Sequence, residues 1–359
     1  MPRSTSPPVV YLGFNDPREH IRGTENVVQT QANAVHGRKY YIFRASSISV
    51  FRWRGIIAIG CPHNLILASI FIRRLIQRIV RQAGQSPIIH GHSYLLTAVA
   101  SGAPIVFTVH DGLTYLKRCF GSRVVWPYRW IERWVYRRAT RIHAISRYAW
   151  LQTVAGPATQ GKVNFIYNSL THPVGATADV CADMGIPRAE TEYLVVRSIE
   201  DRANLELIVE FARHCQREQP HATILVAGKG PLLQHYRSRV ETERLSNLKF
   251  LGYVPDETLD ALYRRSACVL MPAKYGEGFG LPLIEAYARG VPAVGSRICA
   301  VPEVIHSAPL MFDNDLASLC DAIAAARRIP RSDFVAHFKS RFSTAEIQRQ
   351  YRAFYKAVV

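Results

Sequence analysis

Short apolar runs rich in β-branched residues alternate with longer amphipathic stretches along the first half of the chain. The predicted strands are Val9 to Leu12, Lys39 to Phe43, Pro87 to His90, Ile105 to Val109, Arg141 to Ile145 and Val163 to Tyr167. The predicted helices between them include Glu25 to Val35, Leu65 to Arg81 and Tyr128 to Ala139. This alternation is typical of parallel βαβ units.

The second half of the chain repeats the alternation. Its predicted strands are Tyr193 to Val196, Ala222 to Ala227, Leu248 to Leu251, Cys268 to Met271, Ala293 to Gly295 and Leu310 to Phe312. Residues 172–187 are rich in Pro, Gly, Ala and Thr and have little periodicity, so we place a linker there. We therefore predict an α/β protein with two doubly wound, Rossmann-like domains, residues 1–171 and 188–343, facing across a cleft.

The composition favours two folded domains and no membrane span. The 359 residues are 48% hydrophobic, which is enough for two cores. The seven cysteines include no CxxC pair or metal-ligand spacing, which indicates reduced thiols. The first residues lack the apolar core of a signal peptide, and the most apolar window, residues 55–72, is interrupted by Pro62, His63 and Asn64. We expect a cytoplasmic protein.

Nearly all of the net positive charge lies in the first half of the chain. Residues 1–170 contain 22 Lys and Arg against 5 Asp and Glu, whereas residues 171–359 contain 23 against 22. A one-sided field of this kind predicts an anionic partner for the first domain: a membrane surface, a phosphorylated lipid or nucleic acid.

Aromatic and basic residues are interleaved within residues 126–147. The aromatic residues are Trp126, Tyr128, Trp130, Trp134 and Tyr136, and six arginines lie among and after them. Such a helix can place its rings in a lipid headgroup region and its cations on anionic lipid. The alternative is an ordinary helix whose aromatic rings pack on the sheet.

The most informative stretch of the second domain is a glycine-rich entry into a helix. Gly276, Gly278 and Gly280 can adopt positive φ and expose their amides to a ligand. Pro282 fits the first turn of a helix, so we predict that a helix begins near Leu281. Its free amides favour an anionic or strongly hydrogen-bonding ligand.

Two carboxylates, Glu277 and Glu285, flank this entry eight positions apart. Ionised carboxylates only accept hydrogen bonds, so the vicinal hydroxyls of a sugar or ribose suit them. The alternative is a loop charge at Glu277 and a surface residue stabilised by the helix dipole at Glu285.

Two arginines follow a predicted strand of the second domain. Arg197 and Arg202 could clamp a diphosphate, because each guanidinium offers a fork of donors that matches phosphate oxygens. The alternative is a pair of solvated loop arginines. Gly228 lies in a tight turn after the next strand, where the glycines serve either a ligand or the turn alone.

The first domain offers two candidate positions. Gly23 and Thr24 lie where strand one passes into helix one, and amides there can hold a phosphate or approach an acceptor. His110 ends a strand at the mouth of the expected cleft, although a lone histidine is more often structural. His90 and His92 flank a glycine in a similar loop, but a metal site would need a further ligand, and we predict none.

The run from Phe250 to Val304 resembles the donor-binding region of the family 4 retaining glycosyltransferases, the glycosyl transferases of group 1. The resemblance rests on the Glu277-x7-Glu285 pair and on the Pro-Glu-Val at residues 302–304. Elsewhere, Arg197 with Arg202, the turn at Gly228 and Thr108-x-His110 match the family's pattern. The resemblance implies a GT-B fold in which the final helix, residues 344–359, returns to the first domain.

The resemblance also implies a role for each site residue. Glu285 would grip the ribose of the donor, and Glu277 would hold its sugar together with the amides of Gly278, Phe279, Gly280 and Leu281. Arg197 and Arg202 would stabilise the leaving diphosphate, with Arg202 in place of the usual lysine. Gly228 would lie near the base, His110 near the transferred sugar, and Gly23 and Thr24 on the acceptor side. Arg22 replaces one of the family's two glycines there.

We therefore expect a retaining hexosyltransferase that moves a hexose from a nucleoside diphosphate sugar to a hydroxyl acceptor. The expected acceptor is a polyprenyl-diphosphate-linked saccharide of bacterial surface polysaccharide synthesis, reached at the inner face of the cell membrane. Arg197 and Arg202 could substitute for a divalent ion, so we expect metal independence and no cofactor besides the sugar nucleotide. The alternatives are a sugar-nucleotide epimerase or hydrolase on the same fold and a basic nucleic-acid-binding protein. Nucleic acid is not an expected partner, because no recognised binding motif occurs.

Overall fold

The computed structural model describes residues 6–19, 23–119, 121–156, 159, 161–170, 185–186 and 188–358. The chain forms two compact units that divide between residues 171 and 172, and the segment from Thr344 belongs to the first unit. The predicted linker, residues 172–187, lies almost entirely outside the described residues.

Unit 1 is built on an eight-stranded sheet with the order β3-β4-β2-β1-β5-β6-β7-β8. The strands are β1 Val9–Leu12, β2 Lys39–Ala45, β3 Val50–Trp53, β4 Ile56–Pro62, β5 Ile88–Gly91, β6 Ile105–Val109, β7 Arg141–Ala144 and β8 Val163–Phe165. The helices are α1 Gly23–Asn33, α2 Leu65–Ala83, α3 Tyr94–Val99, α4 Leu113–Cys119, α5 Trp126–Arg138 and α6 Arg147–Leu151. All neighbouring strands are parallel except the pair β3 and β4.

The hairpin β3–β4 is absent from the sequence prediction. Arg54 and Gly55 form its two-residue turn, and both have positive φ, as the tight turn of a twisted hairpin requires. The apolar window at residues 55–72 is therefore a strand followed by the start of α2. Asn64 separates the two elements by accepting hydrogen bonds from the amides of Ile66 and Leu67 as the N-cap of α2. Within the described part of the chain, no helix is long and apolar enough to cross a membrane.

Unit 2 contains a six-stranded parallel sheet with the order β11-β10-β9-β12-β13-β14. The strands are β9 Thr191–Val196, β10 Ala222–Ala227, β11 Leu248–Gly252, β12 Cys268–Met271, β13 Ala293–Ser296 and β14 Met311–Phe312. The helices are α7 Leu205–Glu218, α8 Leu233–Thr242, α9 Asp256–Arg265, α10 Leu281–Ala288, α11 Val301–Val304, α12 Leu316–Arg327 and α13 Arg331–Arg341. The two predicted doubly wound α/β domains are confirmed.

Helix α14, Thr344–Lys356, packs on unit 1. Its apolar stripe, Ile347, Tyr351, Phe354 and Tyr355, is buried in the same core as residues of β1, β2 and α1. The period of the stripe is that of an amphipathic helix with one buried face. The core of unit 1 is thus completed by residues more than 170 positions downstream of it.

Candidate active site

In unit 2, β9 and β12 are neighbours at the centre of the sheet, and the strand order reverses between them. Ligands of open α/β sheets bind outside the carboxyl ends of the strands at such a switch point. Arg197 follows β9 directly, and the glycine-rich loop with Glu277 follows β12. The fold therefore brings these two sequence-predicted residues to one place.

Arg197 and Glu277 form an ion pair at this switch point. Arg197 Nη2 lies 2.9 Å from Glu277 Oε2, and the two side chains are only 5% and 16% exposed. Arg197 Nη1 is buried and has no hydrogen-bond partner among the described residues. A buried donor without a partner demands an explanation, and a bound anion would supply one.

The backbone of Arg197 is fixed by the turn at Gly228. Arg197 N donates to Ala227 O, and Gly228 N donates to Gly252 O. A Cβ atom on Gly228 would lie 1.7 Å from Arg197 O, and one on Gly230 would lie 2.1 Å from Ile199 O. No side chain fits at either position. Gly228 is therefore required for the backbone position of Arg197, whether or not Gly228 also contacts a ligand.

The glycine loop agrees only in part with its prediction. Gly276 and Gly280 have φ of 69° and 99°, whereas Gly278 does not adopt positive φ. Helix α10 begins at Leu281, as predicted, with Pro282 in its first turn. Phe279 is buried, with its ring 6.0 Å from that of Phe342, so its side chain belongs to the core and only its amide could serve a ligand.

Arg202, within the β9–α7 connection, reaches the same loop. Its Nη1 donates to Gly276 O at 3.0 Å, and its Nε donates to Glu200 Oε1 at 2.7 Å. Its side chain is partly exposed, in contrast to that of Arg197. Both predicted arginines therefore contact the loop that contains Glu277.

Glu285 lies inside the protein, with 4% of its surface exposed. The Tyr263 hydroxyl donates a 2.6 Å hydrogen bond to Glu285 Oε2, and burial raises the pKa of Tyr263 well above its usual value. Arg289 stacks over the Tyr263 ring and is itself paired with Asp260. The alternative of an exposed, dipole-stabilised surface glutamate is wrong.

Sequence reasoning missed Tyr253, which follows β11 at the carboxyl edge of the sheet. Its ring is exposed, and Lys229 Nζ lies 5.0 Å from the ring centroid. An exposed ring beside the Gly228 turn offers a flat surface on which a base could stack. The Gly252-Tyr253 pair directly after a predicted strand is the signal that could have identified it.

In unit 1, His110 follows β6 and is hydrogen-bonded to a second histidine. His110 Nε2 lies 2.9 Å from His92 Nδ1, and His92 Nε2 lies 3.0 Å from Gln31 Oε1 of α1. Burial, with a contribution from His143, lowers the pKa of His110 to about 3. Burial also holds the pKa of His92 well below its usual range. Both rings are neutral at neutral pH.

The histidine network continues into the core of unit 1. Thr108 Oγ1 lies 2.7 Å from His90 Nε2 and 3.0 Å from His143 Nδ1, since β6 and β7 pair in a register that sets Thr108 beside His143. Tyr355 of α14 contacts His90 Nδ1. Sequence reasoning named His90 and His92 without this network, because it depends on strand register. Across the described residues, no group of three or more His, Cys, Asp or Glu is placed to hold a metal ion.

Gly23 and Thr24 open α1 at the same edge of the unit 1 sheet, and Arg22 lies outside the described residues. A Cβ atom on Gly23 would meet nothing within 4 Å, so packing does not require a glycine there. Nearby lies a polar cavity of about 580 Å³ lined by Phe14, Asn15, Asp16, Arg18, Glu19, Arg44, Ala45, Ser46, Ser47, Ser49 and His63. An acceptor saccharide could use these groups.

Two doubly wound domains, the second with two arginines at its switch point and a glutamate in the loop that they contact, are the architecture of a GT-B glycosyltransferase. The sequence model described as "Glycosyl transferases group 1" matches residues 182–329, and that of the "Glycosyl transferase 4-like domain" matches residues 22–168. The chain belongs to this glycosyltransferase family, and the resemblance seen in its sequence is confirmed.

Curated relatives match shorter stretches. The Escherichia coli O-antigen chain mannosyltransferase B is 47% identical over 79 residues, 22% of this chain and 19% of the relative. The Escherichia coli serotype-specific mannosyltransferase WbdA is 26% identical over 250 residues, 62% of this chain and 29% of the relative. The chain thus spans less than a third of each of these two relatives.

Solved structures match over nearly the whole chain. Sucrose-phosphate synthase from Thermosynechococcus elongatus has a TM-score of 0.75 at 17% identity, covering 98% of this chain and 99% of that one. Anabaena HepE in complex with UDP and glucose has a TM-score of 0.73 at 17% identity, covering 97% and 99%. At this identity the likeness establishes the fold alone.

Proposed function

We propose that this group 1 glycosyltransferase transfers a hexose from a nucleoside diphosphate sugar to a hydroxyl of a growing surface polysaccharide, with retention of the anomeric configuration. The two Escherichia coli relatives are named as mannosyltransferases, so mannose is the first hexose to test. The HepE neighbour was crystallised with UDP and glucose, which supports a nucleotide-linked donor.

The observation that carries the proposal is the state of Arg197. Glu277 neutralises part of its charge through Nη2, while the buried Nη1 has no partner in the described structure. In the proposed complex the diphosphate accepts from Nη1, and Arg202 adds a second guanidinium as negative charge builds on the leaving group. Fixed donors aimed at developing charge supply the largest share of catalysis in many enzymes.

The remaining donor contacts follow from the same loop. We propose that Glu277 and the amides of residues 278–281 hold the sugar, and that Glu285, oriented by Tyr263, holds the ribose. Two arginines can replace a divalent ion, so transfer in EDTA is expected to match transfer without it. Loss of activity in EDTA that is restored by a divalent metal would contradict this part of the proposal.

The acceptor is proposed to be lipid-linked, and the surface of unit 1 supports this. The exposed large apolar residues of the described chain are Phe14, Ile48, Val50, Ile66, Leu67, Ile70, Val124, Trp126, Trp130, Trp134 and Leu151 in unit 1, and Tyr253 and Tyr275 in unit 2. Apolar exposure and positive charge thus coincide in one unit. This combination suits an anionic membrane surface.

Six of these thirteen residues lie on two helices, α2 and α5. In α5, Trp126, Trp130 and Trp134 are 66%, 68% and 52% exposed, while Tyr136 is the one fully buried aromatic residue of this helix. Trp134 Nε1 of α5 donates to Ala98 O, and Ser69 Oγ of α2 donates to the adjacent Val99 O. Helices α2 and α5 therefore both pack against the end of α3, at neighbouring residues. We name residues Ile66, Leu67, Ile70, Trp126, Trp130 and Trp134 the α2–α5 surface.

A donor screen tests the central proposal. Purified protein is incubated with GDP-mannose, UDP-glucose and other sugar nucleotides and a lipid-linked saccharide, and products are read by mass spectrometry. The expected result is one hexose added to the acceptor, with its anomeric configuration read by NMR. Release of free sugar without any acceptor product, or an epimerised sugar nucleotide, would favour the hydrolase or epimerase alternative.

A further inference from the structure

A chain of hydrogen bonds runs from the backbone carbonyl of Ile166, which directly follows β8, to the ring of His110. Its members are Ile166 O, His143, Thr108, Gln31, His92 and His110. A carbonyl oxygen can only accept, so the direction of every bond in the chain can be worked out from that fixed end.

The first links are set by His143. Its Nε2 lies 2.8 Å from Ile166 O and must therefore carry the hydrogen. Burial lowers the pKa of His143 to about 4, so the ring is neutral and Nδ1 is an acceptor. The Thr108 hydroxyl, 3.0 Å away, gives its single hydrogen to that nitrogen. Thr108 Oγ1 is then left to accept from its other neighbours.

The orientation of the Gln31 side-chain amide determines which nitrogen of His92 donates. Its Nε2 donates to Thr108 Oγ1 at 3.1 Å, which turns its Oε1 toward His92 Nε2. With the amide reversed, Oε1 would face the acceptor nitrogen of His143, 3.5 Å from that position, and Thr108 would have one hydrogen for two acceptors. His92 Nε2 is therefore the donor to Gln31.

The last hydrogen bond of the chain determines the tautomer of His110. Because the hydrogen of His92 is on Nε2, its Nδ1 accepts, and His110 Nε2 is the donor across the 2.9 Å contact. His110 Nδ1 then carries no hydrogen. It makes no hydrogen bond with any residue that the structure describes, and the ring is partly exposed at the carboxyl edge of β6.

We propose that Gln31 and His92 are positioning residues that hold His110 with Nδ1 as an obligate acceptor, so that the substrate must present a free sugar hydroxyl to it. The proposal rests on the proposed function for the identity of the ligand, a sugar. Donor and acceptor sugars share this chemistry, and the experiment separates them. A bound hydroxyl must donate its hydrogen here, and a sugar that lacks it loses the interaction.

The tautomer is measured first, without any substrate. Protein labelled with ¹⁵N-histidine is studied by long-range ¹H–¹⁵N NMR, with His110 assigned through His110→Gln. The expected result is an unprotonated Nδ1 and a protonated Nε2 in wild type, and a mixture of both tautomers in Gln31→Met, where His92 loses its acceptor. A protonated Nδ1 in wild type would overturn the proposal even if transfer is observed. Because no substrate is used, this result stands even if the donor screen fails.

The second measurement compares deoxy and deoxyfluoro sugars, position by position, in the donor and then in the acceptor. Fluorine can accept but cannot donate, so wild type is expected to reject both analogues at the position that meets His110. In His92→Leu and Gln31→Met the freed ring can present N–H, and the ratio of deoxyfluoro to deoxy kcat/KM should rise about tenfold. The electronic effect of fluorine is the same in wild type and in each variant, so it cancels when their ratios are compared.

Two controls complete this comparison. His92→Asn keeps an acceptor near the position of Nδ1 and should retain the wild-type ratio. His221→Leu makes the same change at an exposed histidine before β10, at the amino end of the other sheet, and should also retain it. A ratio that stays the same in both His92→Leu and Gln31→Met would overturn the positioning role. If His92→Leu fails to fold, Gln31→Met alone decides the outcome.

Discussion

Arg197 and Glu277 meet at the switch point of the second sheet, Nη2 to Oε2 at 2.9 Å, with both side chains mostly buried. The pair joins the end of β9 to the loop after β12 and leaves a second guanidinium nitrogen available inside the protein. Removing one member of such a pair strands a buried charge, which typically costs about 3–5 kcal/mol.

Arg197→Ala is expected to lower kcat/KM at least about 100-fold, because one fixed donor to a developing anion is worth this much. Kinetics with varied donor and a melting curve measure the effect. Arg213→Ala is the matched control, since it breaks the more exposed Arg213–Glu243 pair of the same unit. Equal losses of activity in the two variants would contradict a specific role for Arg197.

Tyr263→Phe should raise the donor KM several-fold with a smaller change in kcat, because Glu285 loses the hydrogen bond that orients Oε2. The lost bond should also lower the free energy of unfolding by about 1 kcal/mol. Tyr287→Phe is the control: Tyr287 is equally buried, and its hydroxyl donates to Ala293 O. A donor KM that rises equally in both variants would mean that the Tyr263 effect is only structural.

Ile66→Ser with Trp130→Ser should weaken binding to vesicles of phosphatidylglycerol and phosphatidylcholine at least about tenfold, since each exposed side chain contributes apolar burial. Co-sedimentation measures the binding. Ile48→Ser removes an equally exposed apolar residue outside the α2–α5 surface and should bind like wild type. Wild-type binding that does not depend on anionic lipid would contradict the proposed surface.

Unit 1 should lose stability in mild acid. Burial holds the pKa of His90, His92, His110 and His143 below the ordinary 6.5. Below pH 6.5 the unfolded chain binds protons that the native rings do not, so stability falls as pH falls. The loss is about 1.4 kcal/mol per histidine per pH unit, down to the native pKa of each ring. All five tryptophans precede residue 171, so their fluorescence in urea titrations reports unit 1; a flat profile from pH 7 to 5 would contradict this.

The strands could be predicted because both faces of each sheet are covered, which makes each strand a short apolar run. The hairpin β3–β4 could not, because its Arg54-Gly55 turn lacks the usual Asn-Gly signal and its second strand runs into the apolar start of α2. Strand boundaries moved by one or two residues, as at Ile88–Gly91 instead of residues 87–90.

Some features of the site could likewise be predicted from the sequence, and others could not. The spacing of Glu277 and Glu285 and the start of α10 are local, so the sequence could place them. Two other features depend on elements that meet only in the folded chain. One is the burial of Glu285 against Tyr263, and the other is the pair of hydrogen bonds by which His92 joins His110 to Gln31. Gly278 shows the limit of composition, because a glycine need not use the conformations that it permits.

Helix α14 also sets the order in which the protein can fold during synthesis. The ribosome releases residues 172–343 before Ile347, Tyr351, Phe354 and Tyr355, which complete the core of unit 1. Unit 1 is therefore synthesised first but completed last. The face of its sheet that α14 covers stays exposed while unit 2 is translated. An uncovered apolar face favours aggregation in this interval, and a ribosome that stalls after residue 343 leaves a product with one complete unit.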